Sequence, residues 1–89
     1  MPAIRLIVTG KVQGVFFRAN TKKVAEQLDI TGWVKNCDDG SVEIHAEGPM
    51  ENLTKLNEWC YKGPDGSRVE NVVCTPAQES GATSFIIGN

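Results

Sequence analysis

The stretch Ile4-Arg5-Leu6-Ile7-Val8-Thr9-Gly10-Lys11-Val12-Gln13-Gly14-Val15-Phe16-Phe17-Arg18 carries the chain from one periodicity into another. Up to Thr9 the side chains alternate, with Ile4, Leu6 and Val8 on one face and Arg5, Ile7 and Thr9 on the other. Both faces are fairly apolar, the pattern of a central strand. Further on, Phe17, Val24, Ala25 and Leu28 recur at helical spacing, with Lys22, Lys23, Glu26 and Gln27 elsewhere on the wheel. Between the two lies Gly10 to Arg18. Its two glycines, Gly10 and Gly14, permit backbone angles that a Cβ resists, so successive N–H groups can converge on one point. A helix that starts there leaves its first amides unpaired and partially positive. An anion, and best of all a phosphate, suits such a place.

The charges around this helix start sharpen the reading. Lys11, Arg18, Lys22 and Lys23 precede the first acid, Glu26, although cations oppose the macrodipole at that end. A second helical segment, Pro49 to Lys62, has Pro49 and Glu51 in its first turn and Lys62 before Gly63, the conventional order. One helix thus breaks a rule that the other keeps, a conflict expected at functional sites. A bound dianion resolves it. A plain strand-to-helix turn with solvated lysines accounts for the spacing as well.

The rest of the chain supplies the remaining elements. Gly32 is expected to stop the first helix. Trp33–Cys37 and Ser41–Glu47 read as strands around the hairpin signal Asp38-Asp39-Gly40, with Val42, Ile44 and Ala46 inward. The second helix presents Leu53, Leu56 and Cys60 to the core, with Trp59 beside them. After the turn-rich Gly63–Ser67, Val69–Thr75 forms a fourth strand whose inward face is ambiguous at Val72-Val73. Pro76–Thr83 is a loop, and Ser84–Ile87 a short last strand. The order predicts an α+β, ferredoxin-like βαββαβ sandwich: an antiparallel sheet, with a short fifth strand, covered on one face by two helices. Strands one and two are then parallel, with strand three between them. Gly10–Arg18 follows the first strand and Asn36 closes the second, so the two meet at one edge of the sheet. Asn36 is poorly suited to a strand and could simply begin the turn.

Gly10 to Arg18 resembles the G-x-V-Q-G-V-x-F-R signature of the acylphosphatases, and Gly32-Trp33-Val34-Lys35-Asn36 resembles their second signature, G-W-V-x-N. The resemblance spans the whole chain and is densest from Val8 to Gly48. It implies hydrolysis of the carboxyl–phosphate bond of a small acyl phosphate. In that reading Arg18 offers a planar fork to two phosphate oxygens. The backbone amides of Gln13, Gly14, Val15, Phe16 and Phe17, with Arg18, cradle the phosphate. Asn36 orients the attacking water, which a neutral amide can do without acting as a base. The resemblance further implies no metal, no cofactor and no covalent phosphoenzyme, the substrate's own phosphate oxygen taking the proton. Inorganic phosphate or sulfate is then a competing ligand. Asp29 stands where the family commonly has glycine, and Ile86-Ile87-Gly88-Asn89 lacks its frequent aromatic or basic ending. A non-catalytic anion-binding or regulatory module of the same fold is the competing class.

Composition bounds the alternatives. The 89 residues are read as one domain, 1–89, near the lower size for an unstapled core. No apolar run approaches the roughly 20 residues of a membrane span, and no signal-peptide pattern opens the chain, so no membrane partner and a cytoplasmic location are expected. A net charge of −2 argues against nucleic acid, and a monomer is expected. Cys37, Cys60 and Cys74 are odd in number and widely spaced, which fits reduced thiols better than a disulfide or metal site. His45, the only histidine, alternates with Glu43 and Glu47 on one strand face. It is read as a surface residue without chemistry.

Overall fold

Strand pairing in the computed structural model follows the order β4-β1-β3-β2-β5. The structure describes residues 1–88; of the terminal Ile86-Ile87-Gly88-Asn89, Asn89 alone lies outside the described residues. The elements are β1 (Ala3–Lys11), α1 (Phe17–Gln27), β2 (Thr31–Asn36), β3 (Val42–Glu47), α2 (Met50–Lys62), β4 (Arg68–Pro76) and β5 (Phe85–Ile87). Both β1 and β2 run antiparallel to β3 between them. They are therefore parallel to each other, and their C-terminal ends share one edge.

Alternation decides what each strand buries. Leu6, Val8, Val34, Val42 and Ile44 point toward the helices and meet Phe17, Ala25, Leu53, Leu56 and Cys60 in one core. Helix α1 packs over β2 and β5, and α2 over β4 and β1. The two helices meet through Phe17 and Trp59, whose ring centroids lie 5.4 Å apart. Full burial of such side chains contributes about 1.5–3 kcal/mol each. Thr21, buried on α1, stays satisfied because its hydroxyl donates to the Phe17 carbonyl at 2.8 Å. In β4 the ambiguity resolves with Val72 buried and Val73 in solvent.

Three expectations are corrected. Gly32 lies inside β2 and does not end α1; that is done by Asp29, in the left-handed region at φ 54°. Glycine is needed at position 32 because a Cβ there would meet the His45 carbonyl oxygen at 1.8 Å. The sheet is mixed, since β5 pairs with β2 in parallel. Strand β4 ends beside Ile4, at the sheet end away from the α1 start. The chain then crosses that end before β5 begins, so β5 can only run back alongside β2. Finally, Gly10 lies within β1 at a bulge against β4, and only Gly14 belongs to the following turn.

Candidate active site

The turn between β1 and α1 bends at Gly14, with φ 74°, and again at Phe16, with φ 59° and ψ 27°. Glycine adopts such angles freely. For a bulky residue the left-handed region is an outlier costing on the order of 1–3 kcal/mol. Phe16 is also the N-cap residue, and no side chain caps the helix. The first amide bonded within α1 is that of Asn20, to the Phe16 carbonyl at 3.1 Å. Among the described residues the amides of Phe17, Arg18 and Ala19 are therefore the free donors at the helix start, and no acid stands in the first turn. Net positive potential collects there.

Asn36, the last residue of β2, comes to the same place. A cleft of about 410 Å³ is lined by Gly14, Phe16, Arg18, Asn36 and Ile87 over a floor of Val12 and Phe17. Among the described residues the Asn36 Oδ1 is buried without a hydrogen-bond partner. An unpaired buried acceptor costs about 1–3 kcal/mol, so the side chain is not held there for stability. Arg18 is half-buried, and its Nη1 donates to the Gly88 carbonyl at 2.8 Å just past β5.

Two members of the expected cradle do not line the cleft. Val15 packs partly buried against the core. Gln13 turns its side chain away, and its Nε2 donates to the carbonyls of Cys37 (2.8 Å) and Ser41 (2.9 Å). It thereby fastens the loop after β1 to the hairpin after β2. That hairpin is closed by the Cys37 amide on the Ser41 carbonyl at 2.8 Å, and the Asp39 Oδ1 accepts the Ser41 amide at 3.0 Å. The Ser41 hydroxyl, which donates to the same Oδ1 at 2.6 Å, and then the Ser41 amide hold the Asp39 carboxyl below its usual range.

Away from the cleft, the reading of His45 as a surface residue is overturned. His45 and Glu47 are buried, with His45 Nε2 2.6 Å from Glu47 Oε2. The loop 77–84 covers them: the Ser80 hydroxyl (2.6 Å) and amide (3.0 Å) donate to Glu47 Oε2, and the Gly81 amide donates to Oε1 at 3.2 Å. Burial pushes the Glu47 pKa up. The Ser80 hydroxyl, His45, the Ser80 amide and the charge of His45 more than offset it and bring the value down to about 2. Strand alternation sets both residues on the face without helices, and nothing near them in sequence announces that residues 77–84 fold over it. The three cysteines are free thiols. Burial first, and then the nearby Cys74, pushes the Cys60 thiol up to about 12. Among the described residues no three His, Cys, Asp or Glu side chains are grouped to hold a metal ion.

Comparisons to known proteins bear on the family and the fold. A family model described as Acylphosphatase matches residues 4–87. The chain is 51% identical over 78 residues to an acylphosphatase of Marinobacter nauticus, covering 88% of this chain and 82% of that one. It is 43% identical over 84 residues to an acylphosphatase of Halorhodospira halophila, covering 94% and 91%. The crystal structure of acylphosphatase from Bacillus subtilis superposes with a TM-score of 0.97 at 40% identity, over 100% of both chains. With the family model matching nearly its whole length, the chain belongs to the acylphosphatase family.

Proposed function

We propose that the chain, acting as a single unit, hydrolyses the carboxyl–phosphate bond of small acyl phosphates to a carboxylate and inorganic phosphate. The observation that carries this reading is the convergence of Arg18, Asn36 and a helix start with free amides on one cleft. The mixed anhydride is already activated, so catalysis needs mainly positioning and charge neutralisation. Arg18 takes two phosphate oxygens in its fork. The amides of Gly14, Phe16, Phe17 and Arg18 take the others, with those of Gln13 and Val15 shaping the turn. Asn36, on the wall of the same cleft, orients the attacking water. As the water oxygen bonds to phosphorus, the anhydride P–O bond breaks, its electron pair leaves on the carboxylate, and a phosphate oxygen takes the proton.

The reaction in this reading needs no metal and no cofactor. Its partners are the acyl phosphate and, in competition, inorganic phosphate or sulfate; nucleic acid is not one. No helix of the described residues is long and apolar enough to cross a membrane. We place the activity in the cytoplasm, on a monomer. Purified protein releasing phosphate from benzoyl phosphate at the same rate with and without EDTA, with inorganic phosphate competitive, is the expected result. No release, or activity lost in EDTA and restored by a divalent ion, overturns it.

A further inference from the structure

We propose that the Phe16 ring and the Ile87 side chain form a platform for the acyl group, so that the site selects acyl phosphates with a bulky apolar acyl part. This inference rests on the acyl phosphate reading of the cleft and names the half of the substrate which that reading leaves unassigned.

Phe16 does nothing for the fold that would explain it. The residue is 80% exposed, although a large apolar side chain is ordinarily placed to bury area. Its backbone occupies a left-handed conformation that glycine or asparagine would take with less strain. As N-cap it supplies no side-chain acceptor, where serine, threonine or aspartate would. A residue kept against backbone preference, burial and capping together is one whose side chain is wanted where it stands. It stands on the cleft.

The cleft divides by chemistry. Gly14, Arg18 and Asn36 give it a polar wall, while Phe16 and Ile87 are the large apolar lining residues that also reach solvent, at 80% and 44% exposure. A phosphoryl group on the polar wall has its anhydride oxygen and acyl carbon directed away from those donors. The surface left to meet them is the ring and the isoleucine. Ile87 is held there because β5 pairs with β2 at Val34. The two contributors therefore come from opposite ends of the chain and are fixed independently. A flat ring beside a branched aliphatic group suits an aromatic or branched acyl group and offers nothing to a carboxylate or ammonium on it. Binding gained there helps turnover to the extent that it aligns the carbonyl for departure.

The test compares kcat/KM for benzoyl phosphate with kcat/KM for acetyl phosphate in the intact chain and takes the ratio. Any effect on the shared phosphate contacts cancels in it. In Phe16→Gly, which relieves the left-handed strain and so folds, the ratio falls about tenfold from wild type. In Ile87→Ser, which leaves every amide of the α1 start in place, it falls about threefold to fivefold. Phe16→Leu, retaining apolar bulk without the ring, lies between Phe16→Gly and wild type. A ratio within twofold of wild type in both principal variants overturns the platform. A fall in Phe16→Gly alone traces the effect to the backbone of the turn and overturns it too. Should wild type hydrolyse neither compound, the acylphosphatase reading fails with it; should it hydrolyse both at a ratio insensitive to the variants, only the platform fails.

Discussion

The guanidinium of Arg18 is braced by the carbonyl of Gly88, to which its Nη1 donates at 2.8 Å. Gly88 is held in turn by its own amide on the Val34 carbonyl at 2.7 Å. The fork is thus pinned through the last strand to β2, the strand that carries Asn36. Gly88→Pro removes the amide and displaces the carbonyl. With a hydrogen bond to a charged group contributing about 1.5–3 kcal/mol, kcat/KM for benzoyl phosphate is expected to fall roughly tenfold, with a similar rise in the inhibition constant of phosphate. Unchanged steady-state constants would show that Arg18 needs no brace.

Arg18 and Asn36 should fail differently when replaced. Arg18→Ala loses a paired contact to charged oxygens, so phosphate affinity and turnover collapse together, and Arg18→Lys restores little because a point charge cannot reproduce the fork. Asn36→Ala should keep phosphate affinity within about threefold while kcat falls by about a hundredfold or more. Calorimetric titration of phosphate into each variant separates the roles. Equal loss of phosphate in both would make Asn36 a binding residue.

Gln13 can be tested through its two protons. It donates to the Cys37 and Ser41 carbonyls, so Gln13→Glu sets a carboxylate against two acceptors. Stability should fall by about 1–3 kcal/mol at neutral pH, together with kcat, as the turn drifts from the end of β2. Protonation restores one donor, so the deficit relative to wild type should narrow as pH drops toward the carboxylate range. A pH-independent deficit in thermal melts and kcat would rule out the bracket.

Glu47 predicts an acid-side instability. Its pKa in the fold is lowered to about 2 from an ordinary 4.5, so the unfolded chain binds the proton first. The stability it contributes is full above pH 4.5 and is lost as the pH falls from there toward 2. Glu47→Gln should be less stable at pH 7 and should show a flatter decline through that window. His45, Ser80 and Gly81 are the groups facing it, and Ser80→Ala should flatten the curve partway. Parallel melting curves for wild type and Glu47→Gln between pH 5 and 2 would contradict this origin.

Much of the fold and the cleft is legible in the sequence because the informative signals are local. Alternation in Ile4–Val8, helical spacing from Phe17, and the Asp38-Asp39-Gly40 turn fix the elements, and the parallel course of β1 and β2 brings Arg18 and Asn36 together. The misreadings are non-local. Gly32 looked like a helix stop because its real constraint is a carbonyl on β3, thirteen residues on. His45 looked exposed because the cover over it and Glu47 arrives from residues 77–84, an irregular loop with no periodicity to read. The side chain of Gln13, a residue read from the sequence for its backbone amide alone, carries no local signal that it bonds to the hairpin after β2. Phe16 hid in a variable signature position, its unusual backbone angle invisible until the turn was built.

The strand order has a kinetic consequence. In β4-β1-β3-β2-β5 only β2 and β3 are neighbours both in sequence and in space; β1 must wait for β4, where Ile4 meets Pro76, and β2 for β5. Loop closure over such separations precedes any gain from pairing, which slows folding relative to a helical bundle. Because Ile87 and Gly88 complete the cleft, the first turnover of a refolding or newly synthesised chain reports arrival of its final strand. Acyl phosphate hydrolysis is therefore a clock for the docking of β5, and a stopped refolding reaction assayed for activity would time that step separately from collapse of the core.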